Sequence, residues 1–428
     1  MAPKPDQDPR ALALGLLDGV LQARRPLSEL EAMPPAAEAD PAVRARAGRL
    51  ARATLRHLDR ADAILKPHLA RAPRPQIRAL LRLATVEMLA EGAAPHGVVH
   101  SAVAQARRVQ PTAAGMVNAV LRKVAQTTPE RWDALPPQRL PNWLRGRLCA
   151  AYGNARTAQM EALFAAPPPL DLTLRDQGAG ADWATRLEAE LLPTGSLRRA
   201  ASGQVSALPG FAEGAWWVQD AAAALPARLL APAPGARVLE LCAAPGGKTL
   251  QLAAAGARMT ALDISAPRLE RLSENLARTG LAAEVIAADA LHWEPEAPFD
   301  AILLDAPCSA TGTLRRHPDL PHVRDAAALK PLVELQDALI DRAAGWLAPG
   351  GRLVVCTCSL LPEEGEARRD AALERHPQLA PDAGAVSAVA GLARGWDAGP
   401  GALRITPESW AERGGIDGFH IAAFRRQA

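Results

Sequence analysis

The 428-residue sequence is poor in cysteine, with five, and poor in lysine, with five against 44 arginines. It has no apolar run of the roughly 18 residues that a membrane-spanning helix needs, and its first residues carry no signal-peptide core. No membrane partner and a cytoplasmic location are therefore expected. The cysteine count is odd and no two cysteines have Cys-x-x-Cys spacing, which argues against a disulfide framework and a zinc ribbon and leaves free thiols. The shortage of lysine, beside heavy use of alanine and proline, reads as coding bias, so arginine richness alone says little.

What is present is a globular composition, 49% hydrophobic and 22% charged, at a length that implies two or three domains. The net charge of +3 hides an asymmetry: residues 44–123 hold 15 Lys or Arg against 4 Asp or Glu, about +11, which leaves about −8 for the rest. Such a block is the footprint of a polyanion, RNA being the soluble candidate, or else a solvated helix surface. The spacing predicts helices throughout the first 126 residues. Residues 11–24 place Leu12, Leu16 and Val20 on one stripe, residues 76–90 repeat the pattern, and Arg49, Arg52, Arg56 and Arg60 would share one helix face. Between residues 127 and 210 prolines punctuate a weaker pattern, read as a small α+β module with a strand over 170–175 and a helix over 183–192.

From residue 211 short apolar runs alternate with helical stretches: 237–241, 258–262, 284–287, 299–304 and 352–357 are predicted strands of a parallel sheet covered on both faces. Ligands bind such sheets beyond the carboxyl ends of the strands, where Cys242, Asp263, Asp305 and Cys358 fall. The loop Cys242-Ala243-Ala244-Pro245-Gly246-Gly247-Lys248-Thr249 follows a strand and opens a helix, so its backbone amides can approach a ligand. It is not a P-loop, because Cys242 stands where that motif needs its first glycine. Asp263, ending the next strand, can accept ribose hydroxyls, and Asp289 is placed for an adenine amino group; singly, each reads more readily as a turn or capping residue, and it is the three features in strand order that favour a cofactor. Two further motifs end hydrophobic runs, Asp305-Ala306-Pro307-Cys308-Ser309 and Thr357-Cys358-Ser359. Cys149 and Cys356 read as buried small hydrophobes. The spacing of Cys242, Cys308, Cys356 and Cys358 has no finger-like signature, so no metal is expected.

The loop and both cysteine motifs resemble the RNA cytosine-5 methyltransferases of the RsmB/Sun/Fmu family. Residues 77–91, 95–108 and 115–124, with Val117-Asn118-Ala119-Val120-Leu121-Arg122, are similar to the NusB-type RNA-binding domain that precedes the catalytic domain in the bacterial ribosomal RNA enzymes. Leu208-Pro209-Gly210-Phe211 and Val218-Gln219-Asp220-Ala221-Ala222 resemble the family's entry into its methyltransferase fold. The resemblance implies a NusB-like helical bundle over 1–126, a linking α+β module over 127–210 and a Rossmann-like class I methyltransferase over 211–428. It further implies S-adenosylmethionine as cofactor, held by residues 242–248 with Asp263, Asp289 and Asp305, and 16S ribosomal RNA as partner of a monomeric protein.

The chemistry explains the residues. C5 of cytosine is too weak a nucleophile to attack a methyl sulfonium, so a thiolate first adds to C6, while an acid at N3, for which Asp305 is the candidate, supports the developing charge. By resemblance Cys358 is the nucleophile and Cys308 assists release; the opposite assignment is that of the DNA cytosine-5 methyltransferases. In an extended strand Cys356 and Cys358 share a face, so Cys358 must lie at or past the strand end. Lys248 is a candidate for the cofactor carboxylate or the acidic cluster, Arg315 and Arg316 for the RNA backbone. Ala310 and Glu240 depart from the family pattern, which has Gly and Asp there. The alternative function is a non-catalytic RNA-binding or ribosome assembly factor that keeps the fold.

Overall fold

The computed structural model describes residues 8–200 and 203–427. The chain divides into two compact units, Met1–Pro167 with Leu314–Ala326, and Pro168–Thr313 with Ala327–Ala428. In the first unit the helices Pro9–Leu21, Pro41–Arg56, Pro75–Leu89 and Pro95–Val109 each open on proline, whose missing N–H costs nothing in a first turn. Asp8 caps the first of them by accepting from Arg10 N–H at 3.0 Å. Leu12, Leu16, Leu17 and Val20 pack with Leu50, Leu55, Ile77, Leu80, Leu81, Val117 and Leu121 in one core, each leucine contributing about 1.5–3 kcal/mol by leaving water.

The helix Pro41–Arg56 ends at His57 and a new one, Leu58–Leu65, follows, so Arg60 is not on the same helix as Arg49, Arg52 and Arg56. That corrects the expected four-arginine face. The helix Asn142–Phe164, bent at Gly153 (φ +81°, ψ 161°), lies in the first unit, within the stretch read from sequence as α+β.

The second unit holds a small antiparallel sheet and a large mixed one. The small sheet has strands β1 (Leu170–Leu174), β2 (Glu190–Leu191), β3 (Leu197–Arg199) and β4 (Trp216–Val218), in the order β2-β3-β1-β4. The helix expected over 183–192 is shorter and earlier, Gly180–Arg186, because Glu190–Leu191 pairs with β3. In the large sheet β5 (Arg237–Leu241), β6 (Arg258–Asp263), β7 (Glu284–Ala287), β8 (Phe299–Asp305) and β9 (Leu347–Thr357) run parallel in the order β9-β8-β5-β6-β7.

The sheet is not wholly parallel, as the sequence reading had it. β12 (Phe419–Arg426) pairs antiparallel with β9, and β10 (Leu379–Pro381) and β11 (Ala402–Ile405) pair antiparallel with β12. Alternate residues feed two cores: Leu239, Leu241, Ile302 and Leu304 pack under the helix Leu329–Trp346, while Val238, Ala301, Leu303 and Val354 face Leu225, Leu229 and Leu230. Burial on both faces explains the unbroken apolar runs.

Candidate active site

β5 ends at Leu241, and the chain turns through Cys242 (φ +59°) and Gly246 (φ +101°) into the helix Gly247–Ala254. Gly246 has no substitute, because a Cβ there would stand 2.1 Å from Leu272 Cδ1 and the φ is one that L side chains rarely adopt. The loop hangs on β6. Ala243 N–H donates to the Leu262 carbonyl at 3.1 Å, and Ala244 N–H donates to Asp263 Oδ2 at 3.1 Å. Asp263, 2% exposed, accepts from Ser265 N–H at 2.9 Å through its other oxygen. Asp289 follows β7 and is tied to that strand end through Ala288 N–H, which donates to the Asp263 carbonyl at 3.1 Å; its own carboxylate accepts from Leu291 N–H at 2.9 Å and meets His292 Nδ1 at 2.8 Å.

Lys248 points inward from the first turn of its helix, Nζ donating to Asp305 Oδ2 at 2.6 Å. Burial disfavours its charge, but the attraction of Asp305 and neighbouring groups outweighs burial and raises its pKa. Glu240 accepts from the Thr249 hydroxyl, and burial pushes its carboxyl up to about 8, so it keeps its proton at neutral pH. Burial, then the negative field of Asp305 and Asp263, pushes the Cys242 thiol up to about 12 and makes it an inert neutral group.

β8 and β9 are neighbours, with Asp305 opposite Cys356. Cys356 is fully buried, its thiol donating to Asp305 Oδ1 at 3.3 Å. β9 ends at Thr357, so Cys358 stands just past the strand, half-buried, with its Sγ 3.5 Å from Cys308 Sγ. The contact with Cys358, burial and the field of Glu364 together hold the Cys308 thiol well above its ordinary pKa. Ala310, two residues on, takes φ +57°, a left-handed conformation in which glycine is the unstrained residue.

Sequence reasoning missed the groups that hold these motifs. Glu364, 1% exposed, accepts from Ser309 N–H at 2.8 Å, from Gln336 Nε2 at 3.1 Å, from Ser359 Oγ at 2.6 Å and from Ser309 Oγ. A signal was present: serine follows cysteine in both motifs. Arg315 was a candidate for the RNA backbone, but it is fully buried in the first unit, where its carbonyl accepts from Arg56 Nη2 at 2.6 Å. Among the described residues no cluster of His, Cys, Asp and Glu suits a metal ion, and no helix is long and apolar enough to cross a membrane.

The residues at the strand ends fit S-adenosylmethionine. The cofactor carries ribose hydroxyls and an adenine amino group, donors that suit carboxylates such as Asp263 and Asp289 at and just past the ends of β6 and β7, beside the turn at Gly246. Parallel strands, glycine loop and carboxylates at the strand ends define a Rossmann-like, S-adenosylmethionine-dependent methyltransferase. The sequence profile of the family described as 16S rRNA methyltransferase RsmB/F matches residues 227–425, and that of the NusB family matches residues 7–126. A ribosomal RNA small subunit methyltransferase B of Xylella fastidiosa is 38% identical over 97% of both chains, and one of Xanthomonas campestris is 36% identical over 86% of this chain and 87% of its own. A solved methyltransferase homolog protein from Pyrococcus horikoshii superposes with a TM-score of 0.55 at 27% identity, covering 66% of this chain and 93% of that one. The chain belongs to the RsmB/F family of ribosomal RNA methyltransferases.

Proposed function

We propose that this protein methylates C5 of a cytosine in 16S ribosomal RNA through a covalent bond between Cys358 and C6 of the ring. The observation that carries the reading is the pair of thiols 3.5 Å apart, just past the ends of β8 and β9, beside Asp305, which ends β8 and pairs with Lys248. The Cys358 thiolate forms the S–C6 bond, and the C5=C6 electron pair moves into the ring towards N3, where Asp305 and Lys248 share a proton with the developing negative charge. S-adenosylmethionine, held at this site, would supply an electrophilic methyl carbon to C5, its S–CH3 bond breaking to leave S-adenosylhomocysteine. Loss of the C5 proton to a base restores the C5=C6 bond and expels Cys358 as thiolate, with Cys308 assisting that release.

In the cofactor site Asp263 holds ribose hydroxyls, Asp289 the adenine amino group, and the backbone of Ala243, Ala244, Pro245, Gly246 and Gly247 the remainder. Residues 1–126 bind RNA chiefly through phosphates, residues 127–210 link, and residues 211–428 carry out transfer. Five free thiols suit a reducing cytoplasm, where the protein acts as a monomer. Labelled methyl should pass from S-adenosylmethionine to naked 16S RNA and appear as 5-methylcytosine on nuclease digestion; label recovered on another base or atom would overturn the assignment.

A further inference from the structure

Each reactive cysteine is followed by a serine, and both serine hydroxyls, 3.2 Å apart, end on Oε2 of Glu364. Its other oxygen takes Ser309 N–H at 2.8 Å and Gln336 Nε2 at 3.1 Å, and Gln336 also donates to the Pro307 carbonyl at 2.9 Å. The Glu364 main-chain carbonyl accepts from Thr357 Oγ1 at 2.9 Å, which clamps the turn Pro362–Glu364 to the end of β9. Thr311 completes the cluster, its hydroxyl lying 3.2 Å from Ser359 Oγ and accepting from Leu360 N–H at 2.9 Å. Among the described residues no Lys or Arg pairs with Glu364, so four neutral donors alone hold a carboxylate that is 1% exposed. Such a charge is expensive to bury, and an apolar side chain would fill the same space at less cost.

We infer that Glu364 is a positioning residue that fixes the spacing of the two thiols by holding both cysteine loops on one buried carboxylate. The inference rests on the proposed roles of Cys358 and Cys308, which must both act on one ring. A displacement of about 1 Å at such a site costs about 100-fold in rate. Glu364 need not touch the RNA or the methyl donor to exert that control.

The test separates spacing from activity. Phenylarsine oxide condenses with two adjacent thiols, forming two As–S bonds and releasing water, with no change of oxidation state. The wild-type protein should bind it at Cys308 and Cys358, protecting both from alkylation in peptide mass spectra, and Cys358→Ala should not. Glu364→Gln should retain S-adenosylmethionine binding within about twofold, lose roughly tenfold or more in arsenical capture and about 100-fold in kcat, with KM for the methyl donor unchanged. If that variant does not fold, the paired substitution Ser309→Ala and Ser359→Ala removes the bracket from its other end and should give the same losses. A folded variant with a lowered Tm but wild-type capture and kcat would overturn the inference, leaving Glu364 a packing residue. Loss of capture in a protein whose wild-type form does not methylate RNA would sustain the bracket and sink the methylation reading instead.

Discussion

Glu240 is 1% exposed on β5, and burial lifts its carboxyl from 4.5 to about 8. Below about pH 4.5 the group is protonated in the folded and unfolded chains alike. Between there and about pH 8 the unfolded chain ionises while the folded chain keeps its proton, so this residue costs stability as pH rises through that window. Glu240→Gln should therefore gain stability relative to wild type from about pH 5 to 8 in urea denaturation; a difference independent of pH would mean that Glu240 is charged when folded. A second buried carboxylate, Asp171, is joined to Arg198 through both oxygens at 2.7 Å. Asp171→Ala removes a bidentate carboxylate from the guanidinium, which keeps its bonds to the Arg413 and Gly415 carbonyls, and should lower stability by about 1–3 kcal/mol in the same assay. The placement of Cys308 and Cys358 beyond the ends of β8 and β9 was legible, because each lies in one short motif after an apolar run. The contacts of Glu364 were not, because its partners Ser309 and Gln336 lie 55 and 28 positions away.

At the scale of elements, the glycine loop is the most exacting part. Gly246→Ala pushes a methyl group into Leu272 and should weaken S-adenosylmethionine binding by roughly tenfold or more, measured by calorimetry, while the circular dichroism spectrum stays that of wild type. Wild-type affinity in Gly246→Ala would show that the loop does not bear on the cofactor. The parallel strands β5 to β9 could be read in sequence because burial on both faces leaves continuous apolar runs. β10 and β11 could not, since three and four residues are too short to show a period and their pairing with β12 is distant in sequence. The helix Asn142–Phe164 escaped for another reason: its bend at Gly153 turns the buried positions, Leu144 and Leu148 before it and Thr157, Met160 and Phe164 after, so that no single stripe runs its length.

For the molecule as a whole, the basic block of residues 44–123 is less available than its charge implies. Arg52 pairs with Glu31 at 2.6 Å, Arg82 with Asp62 at 2.6 Å, and Arg56 is buried, with burial lowering its pKa to about 10. Arg107, Arg108, Arg122 and Lys123 instead end the helices Pro95–Val109 and Ala114–Val124 with exposed side chains. Replacing all four by alanine should reduce the slope of log K against log salt for RNA binding by about 3, whereas Arg82→Ala should lower stability and leave the slope alone. The charge of the block was legible in the sequence, but not which of its arginines face outward, because charge counts do not distinguish an arginine that pairs within the fold from one that is exposed. The central claim is that Cys358 attacks and Cys308 releases. Denaturing gels of each variant incubated with 16S RNA and S-adenosylmethionine test it most directly: Cys308→Ala should accumulate a covalent protein–RNA adduct and Cys358→Ala should form none and transfer no methyl, whereas an adduct that persists in Cys358→Ala would contradict the account.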